Sequence, residues 1–177
     1  MPKTELAPRH EIADYYHRYL DRVPPGDIQV FLREQTDRIM TVLDDIPDSF
    51  ASHRYEPGKW SIRQLVGHIS DTERVFSFRA FWFARGMPEP LPSFDQDIAV
   101  AHAADDRRDW WGLTREFREV RASTLDFFDS IDEPAWSRVG IASGNPVTVR
   151  ALAWVIGGHA EHHLAILDER YLSGRQD

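Results

Sequence analysis

Four stretches of this sequence repeat apolar residues at steps of three and four, and that periodicity constrains the fold more than any other feature of the chain. Each repeat marks one buried stripe of an α-helix. In the last stretch Val149, Leu152, Ile156, His159, His163, Ile166 and Arg170 share the stripe. In the second, Ile62, Leu65, Val66, Ile69, Thr72, Phe76, Ala80 and Phe83 form one broad face, with His68 on its edge. The first carries Ile28, Phe31, Leu32, Ile39, Val42, Leu43 and Ile46; the third carries Trp110, Leu113, Phe117, Val120, Thr124, Phe127 and Phe128. Amphipathic helices of about 20–25 residues must bury their stripes against each other, which predicts an all-α bundle.

Local signals place the helix ends. Asp27 caps the first helix, which runs to about Ile46. Ser61 followed by Gln64 is a capping box, and the helix it opens runs to about Arg85, where Gly86 and then Pro88 end it. Asp105 or Asp106 opens the third helix, and Asp132-Glu133-Pro134 ends it. Thr148 caps the fourth, which extends to about Leu172. Pro88, Pro90 and Pro92 interrupt the long connection at 86–105, and a weak helix follows through Ala104. Residues 135–147 are turn-rich, and Ser137 to Val149 carries a weak hairpin signal. Upstream, Ile12 to Leu20 forms a short helix that Pro24-Pro25-Gly26 stops. Residues 1–26 therefore read as an N-terminal arm with a short helix, and residues 27–177 as the bundle. Gln35 falls in the first stripe and reads as a helix-edge amide. Gly157-Gly158 inside the fourth helix costs up to ~2 kcal/mol against alanine. Either a neighbouring element approaches the backbone there, or the helix bends.

Composition narrows the function classes. At 177 residues, with 42% hydrophobic and 28% charged content, the chain fits one soluble globular domain. A net charge of -8 argues against a general nucleic-acid binder and gives no support for anionic membranes as a partner. The absence of cysteine excludes disulfides, a catalytic thiol and Cys-type metal sites. No apolar run reaches the ~20 residues of a membrane span, and the first eight residues contain no signal-like apolar core. A cytoplasmic protein is expected.

The chemistry concentrates in His159 and His163. Residues four apart on a helix face the same way, with Cβ atoms roughly 5–6 Å apart. Two imidazoles so placed either find hydrogen-bond partners in the core or share one metal ion. A third ligand has to come from a facing helix, and His68 is the candidate, being the only other histidine on a long helix. Its depth along that helix permits the meeting without requiring it. His162 falls off the stripe and faces the helix edge or solvent. His-Ala-Glu-His-His is not the zinc-protease motif, because Ala160 stands where that motif has glutamate. Asp71 and Glu161 are candidates to orient the histidines, as carboxylates commonly do for metal ligands, unless they are solvated helix charges. Asp97 and Arg121 are candidates for a substrate pocket.

The segment from Lys59-Trp60-Ser61-Ile62-Arg63-Gln64 through Gly67-His68-Ile69-Ser70-Asp71-Thr72-Glu73-Arg74 resembles the second-helix motif of the DinB/YfiT-like superfamily of metalloenzymes. Gly158-His159-Ala160-Glu161-His162-His163 resembles its fourth-helix motif, and Phe94-Asp95-Gln96-Asp97 and Val120-Arg121 between them also fit. The resemblance covers about residues 27–172. It implies a four-helix bundle with long crossover connections and a homodimer. It also implies a divalent metal ion, nickel or zinc, held by His68, His159 and His163. A metal held by neutral imidazoles keeps its charge and acts as a Lewis acid on water, a thiol or an electrophile. Some relatives use a low-molecular-weight thiol cosubstrate such as bacillithiol or mycothiol. The resemblance therefore implies a small-molecule enzyme, a thiol-dependent S-transferase or a hydrolase. The alternative is a non-catalytic metal-binding stress-response protein.

Overall fold

The computed structural model describes residues 9–173, so the first eight residues of the expected arm and residues 174–177 lie outside the described part. Four long helices dominate it: α2 (Ile28–Asp44), α3 (Ile62–Ala84), α5 (Trp110–Ser130) and α7 (Val149–Ile166). Three short ones accompany them, α1 (His17–Leu20), α4 (Gln96–His102) and α6 (Glu133–Trp136). The weak hairpin signal corresponds to strands β1 (Val139–Ala142) and β2 (Asn145–Thr148), paired antiparallel. Among the described residues no helix is long and apolar enough to cross a membrane.

The caps explain the helix starts. Asp27 accepts from the amides of Gln29 and Val30, Thr148 from that of Ala151, and Ser61 with Gln64 closes the capping box. One expectation is corrected. Asp109, not Asp105 or Asp106, caps α5 by accepting from the Gly112 amide. Asp105 instead lies buried in a short 3₁₀ turn against α3, where a Cβ on Gly67 would come within 2.1 Å of its Oδ2. The last turns of the fourth helix continue as a π-helical segment over Leu167–Leu172.

α3 packs on α5 and α7, and α2 packs on the same two helices. The consecutive helices α2 and α3 therefore stand diagonally, and so do α5 and α7. The connections cross the bundle ends instead of turning tightly between neighbours, so the fold is a four-helix bundle with long crossovers.

The apolar core falls into two clusters. One gathers Leu20, Leu32, Phe76, Leu125, Phe128 and Ile156; the other gathers Ile39, Leu65, Ile69, Phe117, Ala160 and Leu167. On each long helix the step between clusters is occupied by polar side chains: Gln35 on α2, Thr72 and Glu73 on α3, Arg121 on α5 and His159 on α7. The glycine pair is explained by close approach. α1 crosses α7 so tightly that a Cβ on Gly158 would stand 2.0 Å from the Tyr19 carbonyl oxygen, and one on Gly157 would meet the Phe31 ring at 3.1 Å.

Candidate metal centre

α3 and α7 bring His68, His159 and His163 together in the core, at 1%, 4% and 8% exposure. Their Nε2 atoms form a triangle, each 3.1 Å from the other two. Three nitrogens in that arrangement cannot satisfy one another. A neutral imidazole has one donor and one acceptor nitrogen, so at least two of the three Nε2 atoms are alike, and two lone pairs or two N–H groups face each other in a low-dielectric core. A cation held by the three Nε2 atoms would remove the conflict, each neutral imidazole offering it a lone pair. The size is right as well. The three Nε2 atoms are close enough to be shared by one ion at typical metal–imidazole distances of about 2.0–2.1 Å. The three-histidine site is capable of coordinating a divalent metal, and among the described residues no fourth His, Asp or Glu joins the cluster.

Electrostatics point the same way. Burial lowers all three histidines from their ordinary range, His68 to about 4, His163 to about 2 and His159 well below normal. Neighbouring histidines lower them further. All three are neutral at pH 7, the form that binds metal.

The surroundings are mostly aromatic. The Trp60 ring lies 4.8 Å from that of His68, Tyr19 packs edge-on to both His159 and His162, and Phe76 lies 6.2 Å from His159. Tyr171, on the π-helical segment, donates to the Trp60 carbonyl at 2.8 Å and so fixes the residue over His68. Thr72 Oγ1 stands 3.3 Å from His68 Nδ1. With Nδ1–H donating there, the His68 Nε2 lone pair faces the cluster. His163 Nδ1 is buried with no hydrogen-bond partner among the described residues.

Several expectations about the surroundings are corrected. Asp71 does not orient His68; it pairs with Arg74, which also binds Glu116. Glu161 hydrogen-bonds no histidine among the described residues and accepts instead from Gln35 and Arg38. Gln35 is no edge amide but fully buried, its Nε2 donating to the Gly157 carbonyl and to Glu161, each at 2.8 Å. Arg121 is closed off from solvent. It is 0% exposed and holds Glu73 with two hydrogen bonds of 2.8 and 2.9 Å, while its Nη1 donates to Gln35 Oε1 at 2.9 Å. Asp97 is exposed on α4, its amide bound by the Asp95 side chain. His162 is half-buried beside Tyr19 and outside the triangle. Tyr19, Trp60 and Thr72 were missed as parts of the site. Thr72 alone carried a signal, one turn from His68 on the same stripe.

A crossover four-helix bundle that gathers imidazoles from two packed helices into its core defines a class of helical metal-site proteins. The chain belongs to the DinB superfamily, which matches residues 32–167. It is 24% identical over 168 residues to a proposed metal-dependent hydrolase of Oceanobacillus iheyensis, covering 82% of this chain and 86% of that one. Its fold is similar to that of YfiT from Bacillus subtilis, for which metal-dependent hydrolysis is also proposed, with a TM-score of 0.72 at 17% identity over 93% of this chain and 91% of YfiT. It is also similar to the mycothiol-dependent maleylpyruvate isomerase, with a TM-score of 0.64 at 16% identity, over 84% of this chain and 61% of that enzyme.

Proposed function

We propose that His68, His159 and His163 hold one divalent metal ion, nickel or zinc, and that the protein is a metal-dependent hydrolase of a small molecule. The observation that carries this reading is the triangle of three Nε2 atoms with no fourth protein donor beside it among the described residues. Catalytic sites typically use three protein ligands, and structural sites four. The bound ion would supply Lewis acidity at neutral pH. The chain's own residues do the rest. Burial keeps the three imidazoles unprotonated, Thr72 selects the His68 tautomer, and Trp60, Tyr19 and Phe76 limit water around the rings. Likeness to the hydrolase of Oceanobacillus iheyensis and to YfiT over most of their lengths favours hydrolysis.

A second reading, thiol-dependent transfer, is favoured by the likeness to the mycothiol-dependent isomerase. The chain has no cysteine, so the thiol would come from a cosubstrate. Metal analysis after reconstitution of tag-free protein tests the site: about one ion per chain is expected, lost in His163→Ala and kept in His162→Ala. Empty protein, or the reverse pattern, overturns the ligand assignment. Ester and amide hydrolysis set beside conjugation of bacillithiol, mycothiol and glutathione separates the two reactions.

A further inference from the structure

Arg79 is buried, at 4% exposure, yet among the described residues no carboxylate pairs with it. Its Nη2 donates to the Pro92 carbonyl at 2.7 Å and to Ser143 Oγ at 3.1 Å, tying the crossover and the hairpin turn to α3. That clamp accounts for one corner of the guanidinium. Nε and Nη1 make no protein hydrogen bond among the described residues, and the Phe76 ring 5.7 Å away adds only a weak cation–π contact. Buried charges in proteins are ordinarily paired, because an uncompensated one is strongly disfavoured.

Arg79 lines an open-sided cavity of about 330 Å³ between α3 and the crossover, together with Val75, Phe78, Leu91, Pro92 and Phe94. That volume and apolar lining with one fixed cation suit a small organic anion. The other charges nearby are already committed. Arg74, at the rim, binds Asp71 and Glu116, and Asp95 accepts from the Asp97 and Ile98 amides.

We propose that this cavity binds an organic monocarboxylate with a flat apolar body, its carboxylate on Arg79 and its body against Phe78 and Phe94. Val75 and Arg79 continue the face of His68 and Thr72, so the cavity begins about 10 Å along α3 from His68. The proposal is independent of metal binding.

Calorimetric titration of the full chain with phenylacetate tests it, beside phenylacetamide, which keeps the body and loses the charge. Phenylacetate is expected to bind at least tenfold more tightly than the amide. Arg79→Met should weaken phenylacetate at least tenfold, and Val75→Trp, which fills the cavity while leaving the Arg79 hydrogen bonds in place, should abolish binding. No binding by the parent chain, equal binding of acid and amide, or undiminished binding by Val75→Trp overturns the assignment. If Arg79→Met fails to fold, the acid–amide comparison and Val75→Trp decide the matter.

Discussion

Acidifying the metal-free protein from pH 7.5 to pH 5 should remove a large part of its stability through three side chains. His68, His159 and His163 are kept neutral chiefly by burial, with folded pKa values of about 4 for His68, about 2 for His163 and well below normal for His159. Because these lie below the unfolded value of about 6.5, the unfolded chain takes up protons first. The contribution is intact above about pH 6.5 and is lost as pH falls toward the folded values. Each group then costs about 1.4 kcal/mol per pH unit, so three cost about 6 kcal/mol by pH 5, against a typical domain stability of about 5–15 kcal/mol. Urea unfolding in chelator at pH 7.5, 6.5, 5.5 and 5.0, followed by tryptophan fluorescence, measures it. The reference is a triple variant with His68→Leu, His159→Leu and His163→Leu, in which the loss should shrink by about that amount. Carboxylates do not confuse the window. Arg63 lowers Asp48, and in Glu116 burial is outweighed by Arg74 and Arg108, so both lose their contribution only in stronger acid. Asp105 is raised by burial and by Asp71, but acts equally in both proteins. Equal pH dependence in parent and variant would refute the claim that burial holds the triad neutral.

Gly158→Ala should destabilise by about 2–3 kcal/mol, because its Cβ meets the Tyr19 carbonyl at 2.0 Å and backbone must move. Gly157→Ala should stay within about 1 kcal/mol in the same urea assay, since the Phe31 ring can shift and alanine favours helix. Arg121→Met should cost about 3–5 kcal/mol by stranding Glu73 in the core, and adding Glu73→Leu should recover much of the loss. Thr72→Val should weaken metal affinity by about tenfold in a competition titration while leaving stoichiometry unchanged. Unchanged affinity would remove Thr72 from the site.

The long helices, the Ser61 capping box and the His159–His163 pair were legible because each is a local pattern. Periodicity reports which face is buried, and a cap is read from one residue and the amides after it. What was not legible depends on how helices meet. Gln35 looks the same whether it faces water or the Gly157 carbonyl, and Arg121 does not reveal from its own stripe that Glu73 waits on α3. Asp105 sits beside Asp106 with the same capping chemistry, and only packing against Gly67 turns it into a buried group. The crossover connections came from the family resemblance and not from the stripes, since four equivalent stripes do not say which helices stand diagonally.

Those pieces belong to one feature of the core. Gln35, Glu73, Arg121 and His159 interrupt their four stripes at one level, between the two apolar clusters. Arg121 joins α5 to α3 through Glu73 and to α2 through Gln35, and Gln35 reaches α7 at the Gly157 carbonyl, two residues before His159. A helix held by apolar contacts alone can slide with little penalty, because such contacts have no direction. A buried network of directional bonds does penalise sliding, since a slip leaves an arginine or a carboxylate unpaired. The three Nε2 atoms meet only if α3 and α7 keep their relative height. The network bonds to both helices, and its position beside the histidines is where such a constraint acts most directly on the triangle.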